Sequence, residues 1–112
     1  MNKNNNTPIP SDFFLYKDSN GEVKVEIYIF NETVWLTQDK IAQLFGVDRS
    51  VVTKHLKNIF QTAELQEDSV SAKIALTAAD GKKYQTKLYN LDAILSVGYR
   101  VNSIQATHFR IW

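Results

Sequence analysis

The chain has 112 residues, of which 44% are hydrophobic and 22% are charged, as expected for a single globular domain with a modest core. It contains no cysteine, which excludes a disulfide framework and cysteine-based metal sites and favours a cytoplasmic location. No apolar run approaches the roughly 20 residues of a membrane span, and the start does not resemble a signal peptide, so we expect no membrane association.

The first third of the chain predicts a flexible start followed by strands. Residues 1–11 are rich in asparagine and contain two prolines, which predicts a disordered lead-in before one domain over residues 12–112. Residues 23–30 alternate between apolar and polar side chains, as in a half-buried strand. A second β-prone run over 33–36 follows two residues later, which favours a hairpin although its turn lacks glycine. We expect a small antiparallel sheet packed under helices.

Residues 37–60 carry the pattern of two short helices joined by a tight turn. Thr37 and Asp48 are suited to cap the two helices, and Gly46 permits the left-handed backbone that ends the first one. The inward positions of the second helix are apolar: Val52, Leu56, Ile59 and Phe60. This spacing indicates a helix-turn-helix, in which the second helix would enter a DNA major groove.

The outer face of the second helix is basic, with three cations and no carboxylate between residues 49 and 57. We therefore predict that it faces DNA through Arg49, Ser50, Thr53, Lys54 and Lys57. Arg49 is suited to pair with guanine O6 and N7, whereas lysines more often meet phosphates. Gln38, on the first helix, is a weaker candidate for a backbone contact. The alternative for each residue is a solvated helix face.

A second basic segment follows. Residues 70–77 and 83–89 are β-prone and flank an Asp-Gly turn, which predicts a hairpin. It carries Lys73, Lys82, Lys83 and Lys87. A basic hairpin after such a helix is suited to act as a wing along the phosphate backbone, with Lys82 and Lys83 among the contacts. The alternative is an edge hairpin whose lysines only discourage aggregation.

The last third predicts two helices. Asn90 is expected to cap the first, and Ser103 to cap the second from residue 104 onward. Arg100 and Asn102 are polar residues in an apolar neighbourhood; we expect them to hydrogen-bond the join of these helices, the alternative being contact with a subunit or a further region. The chain ends at Trp112 without a C-cap, which favours a longer protein.

Several stretches resemble the N-terminal part of the RhuM virulence-protein family of bacteria. They are Glu32-Thr-Val-Trp-Leu-Thr-Gln, Phe45-Gly-Val, Leu56-Lys-Asn-Ile-Phe, Ala79-Asp-Gly-Lys, Tyr89-Asn-Leu-Asp-Ala-Ile and Ser96-Val-Gly-Tyr-Arg-Val-Asn-Ser. More remotely, the arrangement is similar to the DNA-binding domains of the Bro-N and KilA-N groups of phage antirepressors. The resemblance implies a longer parent protein and no known activity.

The sequence offers no set of catalytic groups, so we expect no enzyme and no cofactor. His55 and His108 lie far apart and lack metal-ligand spacing, and His55 is better explained as a packed residue. A nuclease metal cluster in the acidic segment is disfavoured because connecting segments are commonly acidic; the segment contains Glu64, Glu67 and Asp68. Aromatic residues of the first strands could stack on single-stranded bases but are more often core residues: Tyr28, Phe30 and Trp35.

Together these observations predict an α+β, winged helix-turn-helix-like domain that binds double-stranded DNA sequence-specifically, and a homodimer on paired half-sites is compatible with this prediction. The alternative is a protein-interaction or dimerisation module with no DNA binding. The direction of the two basic segments discriminates between these hypotheses, because one duplex can meet both only if they flank the same surface.

Overall fold

The computed structural model describes residues 13–17, 21, 24–77 and 79–112, so the predicted disordered lead-in lies outside the described residues. The strands are β1 (Phe13–Lys17), β2 (Lys24–Phe30), β3 (Thr33–Leu36), β4 (Ser71–Thr77) and β5 (Lys83–Asn90). The helices are α1 (Gln38–Phe45), α2 (Arg49–Gln61), α3 (Glu67–Val70), α4 (Leu91–Val101) and α5 (Ser103–Ile111).

All five strands form one antiparallel sheet in the order β1-β2-β3-β5-β4, which confirms the predicted α+β class. The two predicted hairpins, β2–β3 and β4–β5, are joined edge to edge where Leu36 pairs with Tyr89. The second hairpin therefore lies beside β3, the strand that leads directly into α1.

The β2–β3 turn is a two-residue turn without glycine. Both of its residues have positive φ, 50° at Asn31 and 63° at Glu32, as the favoured hairpin turns require. Asparagine tolerates this region, whereas glutamate enters it at a conformational cost. The predicted hairpin is confirmed.

The main core lies between one face of the sheet and the helices. Fully buried side chains come from both layers, including Ile27 of β2, Leu36 of β3, Ile41 of α1, Ile59 of α2 and Ile94 of α4. Burial of this apolar surface holds α1, α2 and α4 on the sheet.

A smaller core covers the opposite face. Phe30 stacks on Trp35 with ring centroids 4.6 Å apart, and Trp35 Nε1 donates a hydrogen bond to the Phe30 carbonyl. Ile74 and Leu88 of the second hairpin complete this cluster. Trp35 is thus a core residue, and its ring is not available for stacking on single-stranded bases.

The join between α4 and α5 differs from the prediction in two respects. The cap of α5 is Asn102, whose Oδ1 accepts from the Gln105 N–H at 3.1 Å, so the predicted cap at Ser103 is wrong and the helix begins one residue earlier. Asn102 does hydrogen-bond the join, as expected. Arg100 does not, because its guanidinium reaches back to Glu64 beyond the end of α2.

Among the described helices, none combines the length and the apolar character needed to cross a bilayer.

Candidate nucleic-acid interface

The α1–α2 pair is built by local signals. Thr37 Oγ1 accepts from the Lys40 N–H at 3.2 Å and caps α1, and Gly46 ends that helix with φ of 69°. Asp48 then caps α2 by accepting from the Ser50 N–H at 3.0 Å. All three predicted positions are confirmed. They fix a three-residue turn between the helices.

Ser50 takes part in its own helix cap. Its hydroxyl donates to Asp48 Oδ2 at 2.6 Å, and this bond, with that of the Ser50 N–H, lowers the pKa of the Asp48 carboxyl. The Ser50 hydroxyl proton is therefore already committed, although the hydroxyl oxygen remains an exposed acceptor.

The predicted DNA-facing residues of α2 all lie on its exposed side. Val52, Leu56 and Ile59 are buried against the core, and helical spacing places the predicted positions on the opposite side of the helix. The exposed set contains every predicted position: Arg49, Ser50, Thr53, Lys54 and Lys57. No other part of the described chain covers them.

The β4–β5 hairpin presents its lysines on the side that faces the helices. Tyr89 lies on that side, because it is buried in the main core. Side chains alternate along a strand, so Lys87 and Lys83 share the side of Tyr89, and Lys73 joins them as the direct partner of Lys87. Ile74 and Leu88 take the opposite face. Lys82 is exposed in the turn before β5.

A groove runs between α2 and β5, and we call it the α2–β5 groove. It consists of two clefts of about 390 and 340 Å³ that share Gln38 and Tyr89. The first is lined by Thr37, Gln38, Asp39, Arg49, Gln85, Thr86, Lys87 and Tyr89. The second is lined by Gln38, Thr53, Leu56, Lys57, Phe60, Gln61, Glu67 and Tyr89. Both basic segments therefore border one concave surface.

A chain of hydrogen bonds fixes the floor of the groove. The Thr53 hydroxyl donates to Gln38 Oε1, and Gln38 Nε2 donates to the Tyr89 hydroxyl at 3.1 Å. Two predicted site residues from different helices are thereby tied to the hairpin. The amide of Gln38 is held in one orientation, because its two ends have different partners.

Two carboxylates border the groove. Asp39 lies 3.5 Å from the Arg49 guanidinium, and Glu67 pairs with the Lys87 ammonium. The bond to Glu67 raises the pKa of Lys87, so this lysine stays protonated well above neutral pH. Sequence reasoning missed both pairs, because each joins residues from different elements.

The remaining cations of the two segments carry no ion pair within the described part of the chain. They are Lys54, Lys57, Lys73, Lys82 and Lys83, all exposed. At the hairpin turn Asp80 accepts from the Tyr84 hydroxyl and the Lys82 N–H, which lowers the pKa of Asp80 and keeps one negative charge beside these lysines.

The described residues contain no group of three or more histidines, aspartates or glutamates that could hold a metal ion. His55 is half-buried with its Nδ1 in the protein interior, and His108 is exposed. Glu64 has structural partners, Ser96 and Arg100.

In a comparison with protein families, the model of the virulence protein RhuM family matches residues 69–112. The resemblance is thus confirmed over the β4–β5 hairpin, α4 and α5. Searches of curated proteins and of solved structures produced no match. The remote similarity to the Bro-N and KilA-N groups stays a prediction.

Proposed function

We propose that this chain, whose residues 69–112 match the RhuM virulence protein family, is a winged helix-turn-helix-like domain that binds double-stranded DNA. The family name describes virulence and specifies no chemistry. The proposal therefore rests on the α2–β5 groove.

One observation carries the proposal: the basic side of α2 and the basic side of the hairpin flank the same groove. Arg49 and Lys57 line it from the helix, and Lys87 lines it from the strand. Lys73 and Lys83 continue the hairpin side by strand alternation. A surface that only needed solubility would not require its cations on two facing walls.

In the proposed complex α2 lies in the major groove, which is about 12 Å wide and admits a helix. The hairpin lysines then lie along the adjacent phosphates, which supplies affinity that is independent of sequence. Discrimination between sequences comes from the N-terminal half of α2, where Arg49 and Thr53 are closest to the base edges.

The alternative function, a protein-interaction or dimerisation module, draws support from α5. Its exposed side carries Ile104 and Ile111, 70% and 74% exposed, and Trp112 is 54% exposed. Neither cleft of the α2–β5 groove includes these residues. A dimer formed through α5 would leave the groove open, so this alternative is compatible with DNA binding.

The test is a fluorescence-anisotropy titration of labelled duplex with the purified chain at several salt concentrations. The five lysines that form no ion pair with a described residue predict about five phosphate contacts and a slope of log affinity against log salt of roughly −4 to −5. A response that does not change with salt, or no binding at low salt, would contradict the proposal and favour the interaction module.

A further inference from the structure

We infer that Arg49 and Asp39 act together as a reader of one G·C base pair, with Arg49 donating to guanine O6 and N7 while Asp39 accepts from the cytosine N4 amino group. This inference rests on the proposed function and specifies what the α2–β5 groove selects. In the major groove a carboxylate can accept a hydrogen bond from cytosine N4, and an arginine can donate two hydrogen bonds to guanine O6 and N7.

The pair is accessible from the groove. Both residues line its first cleft, and their side chains are 60% and 71% exposed for Arg49 and Asp39. An ion pair this exposed contributes little to folding stability. Both side chains can therefore turn toward a ligand at little cost in folding stability.

The spacing of the pair matches the edge of a G·C base pair. A guanidinium nitrogen of Arg49 and a carboxylate oxygen of Asp39 lie 3.5 Å apart. In the base pair, cytosine N4 and guanine O6 are joined by a hydrogen bond and lie about 3 Å apart. Arginine has five N–H donors, so Arg49 can keep its contact with Asp39 while it meets guanine.

The carboxylate also excludes other partners. A phosphate placed against Arg49 would lie beside the negative charge of Asp39, which weakens the attraction. A T·A pair would present the thymine O4 acceptor to Asp39, which repels the carboxylate, and the adenine N6 donor to Arg49 in place of guanine O6, so Arg49 would keep only its bond to N7. A G·C pair satisfies both side chains.

The second ion pair of the groove is less suited to this role. Lys87 and Glu67 are only 35% and 44% exposed in their side chains, and Lys87 lies over the Tyr89 ring. A lysine also lacks the planar fork that recognises guanine O6 and N7 together.

The test first selects bound duplexes from a random pool with the full chain, and then places modified bases at each G·C pair of the selected sequence. N4-methylcytosine replaces the amino hydrogen that faces the major groove, and 7-deazaguanine removes the N7 acceptor. At one G·C pair, we expect each modification to weaken binding of the unmodified chain about tenfold in anisotropy titrations.

The variants assign these losses to side chains. The Asp39→Ala variant should bind the selected duplex with equal affinity whether or not the cytosine carries the N4 methyl group. The Arg49→Ala variant should bind it with equal affinity whether the base is guanine or 7-deazaguanine. Asp92→Ala removes an exposed carboxylate from the first turn of α4 and should keep both sensitivities.

Two results would overturn the inference. In the first, N4-methylcytosine lowers the DNA affinity of Asp39→Ala and of the chain without substitution by the same factor at every position. The carboxylate then does not contact cytosine, although DNA binding stands. If the chain selects no duplex at all, the proposed function fails and this inference fails with it.

Discussion

Gly98 shows how one residue sets the distance between helices. A Cβ placed there would lie 2.4 Å from Phe45 Cζ and 2.9 Å from Ala106 Cβ, closer than real contacts allow. We expect Gly98→Ala to destabilise the fold by about 1–3 kcal/mol through overpacking, although alanine favours a helix by about 1 kcal/mol. The free energy of unfolding in urea measures the change.

Replacing the Phe45 ring by a smaller side chain tests whether its contact with the new Cβ causes the loss of stability in Gly98→Ala. In a Phe45→Leu background, the cost of Gly98→Ala should fall by at least half, because the nearest atoms of the clash are ring atoms. An equal cost in both backgrounds would show that the loss comes from elsewhere.

Asn102 caps α5 through its side chain. Asn102→Ala removes the acceptor for the Gln105 N–H and should cost about 1 kcal/mol. Ser103→Ala, the neighbouring substitution, should cost close to nothing, because that side chain is not the cap. If Ser103→Ala lowered the free energy of unfolding more than Asn102→Ala does, in thermal or urea unfolding, Ser103 would be the cap of α5 after all.

Between elements, Glu64 fastens the segment after α2 to α4. It accepts from the Ser96 hydroxyl, which is the larger cause of its lowered pKa, and from the Arg100 guanidinium. Because the pKa of Glu64 is lower in the folded state, its carboxylate stabilises the fold at pH values above the ordinary pKa of 4.5. This stabilisation is lost as the pH falls through the folded-state pKa.

Glu64→Gln should therefore be less stable than the unmodified chain at neutral pH, and the difference should shrink below the ordinary pKa of 4.5. The difference is modest, since the site is exposed to solvent. Urea unfolding at neutral and acidic pH measures it, with Asp68→Asn as the control at an exposed carboxylate of the neighbouring helix α3. A difference that does not depend on pH would contradict the assignment.

Contacts between neighbours along the chain could be predicted from the sequence, whereas contacts between distant elements could not. Caps and turns at Thr37, Gly46 and Asp48 were predictable, because each depends on neighbours along the chain. The pairing of β3 with β5 was not, since each strand already had one hairpin partner and the sequence pattern alone does not specify a second. The same holds for Arg100, whose carboxylate partner lies 36 positions away.

The residues of Ser96–Ser103 could not be explained by helical periodicity, but their tertiary contacts explain several of them. Ser96 and Arg100 both meet Glu64, Gly98 admits the Phe45 ring, and Asn102 caps α5. Four residues without large apolar side chains, at positions 96, 98, 100 and 102, thus contact three different parts of the fold: Glu64, Phe45 and the start of α5. The candidate site shows the same limit: the basic residues were predicted, whereas Asp39 and Glu67 beside them were not.

At the scale of the whole molecule, the sheet order places two strands between β1 and β5, and this offers a matched comparison. Lys83 lies on β5 beside the groove, whereas Lys17 is an exposed lysine on β1 at the other end of the sheet. If the hairpin follows the phosphates, Lys83→Ala should weaken binding to all duplexes alike and reduce the salt slope by about 1. Lys17→Ala should change neither quantity.

Arg49→Ala should behave differently from Lys83→Ala, because a base-reading side chain adds affinity only where the base is right. We expect a loss of about 1–3 kcal/mol on the selected duplex and a much smaller loss on a scrambled one. Anisotropy titrations of both variants on both duplexes measure these four changes. Equal losses from Arg49 and Lys83 on every duplex would mean that α2 contacts only the backbone, and a loss from Lys17→Ala as large as that from Lys83→Ala would place the DNA elsewhere on the molecule.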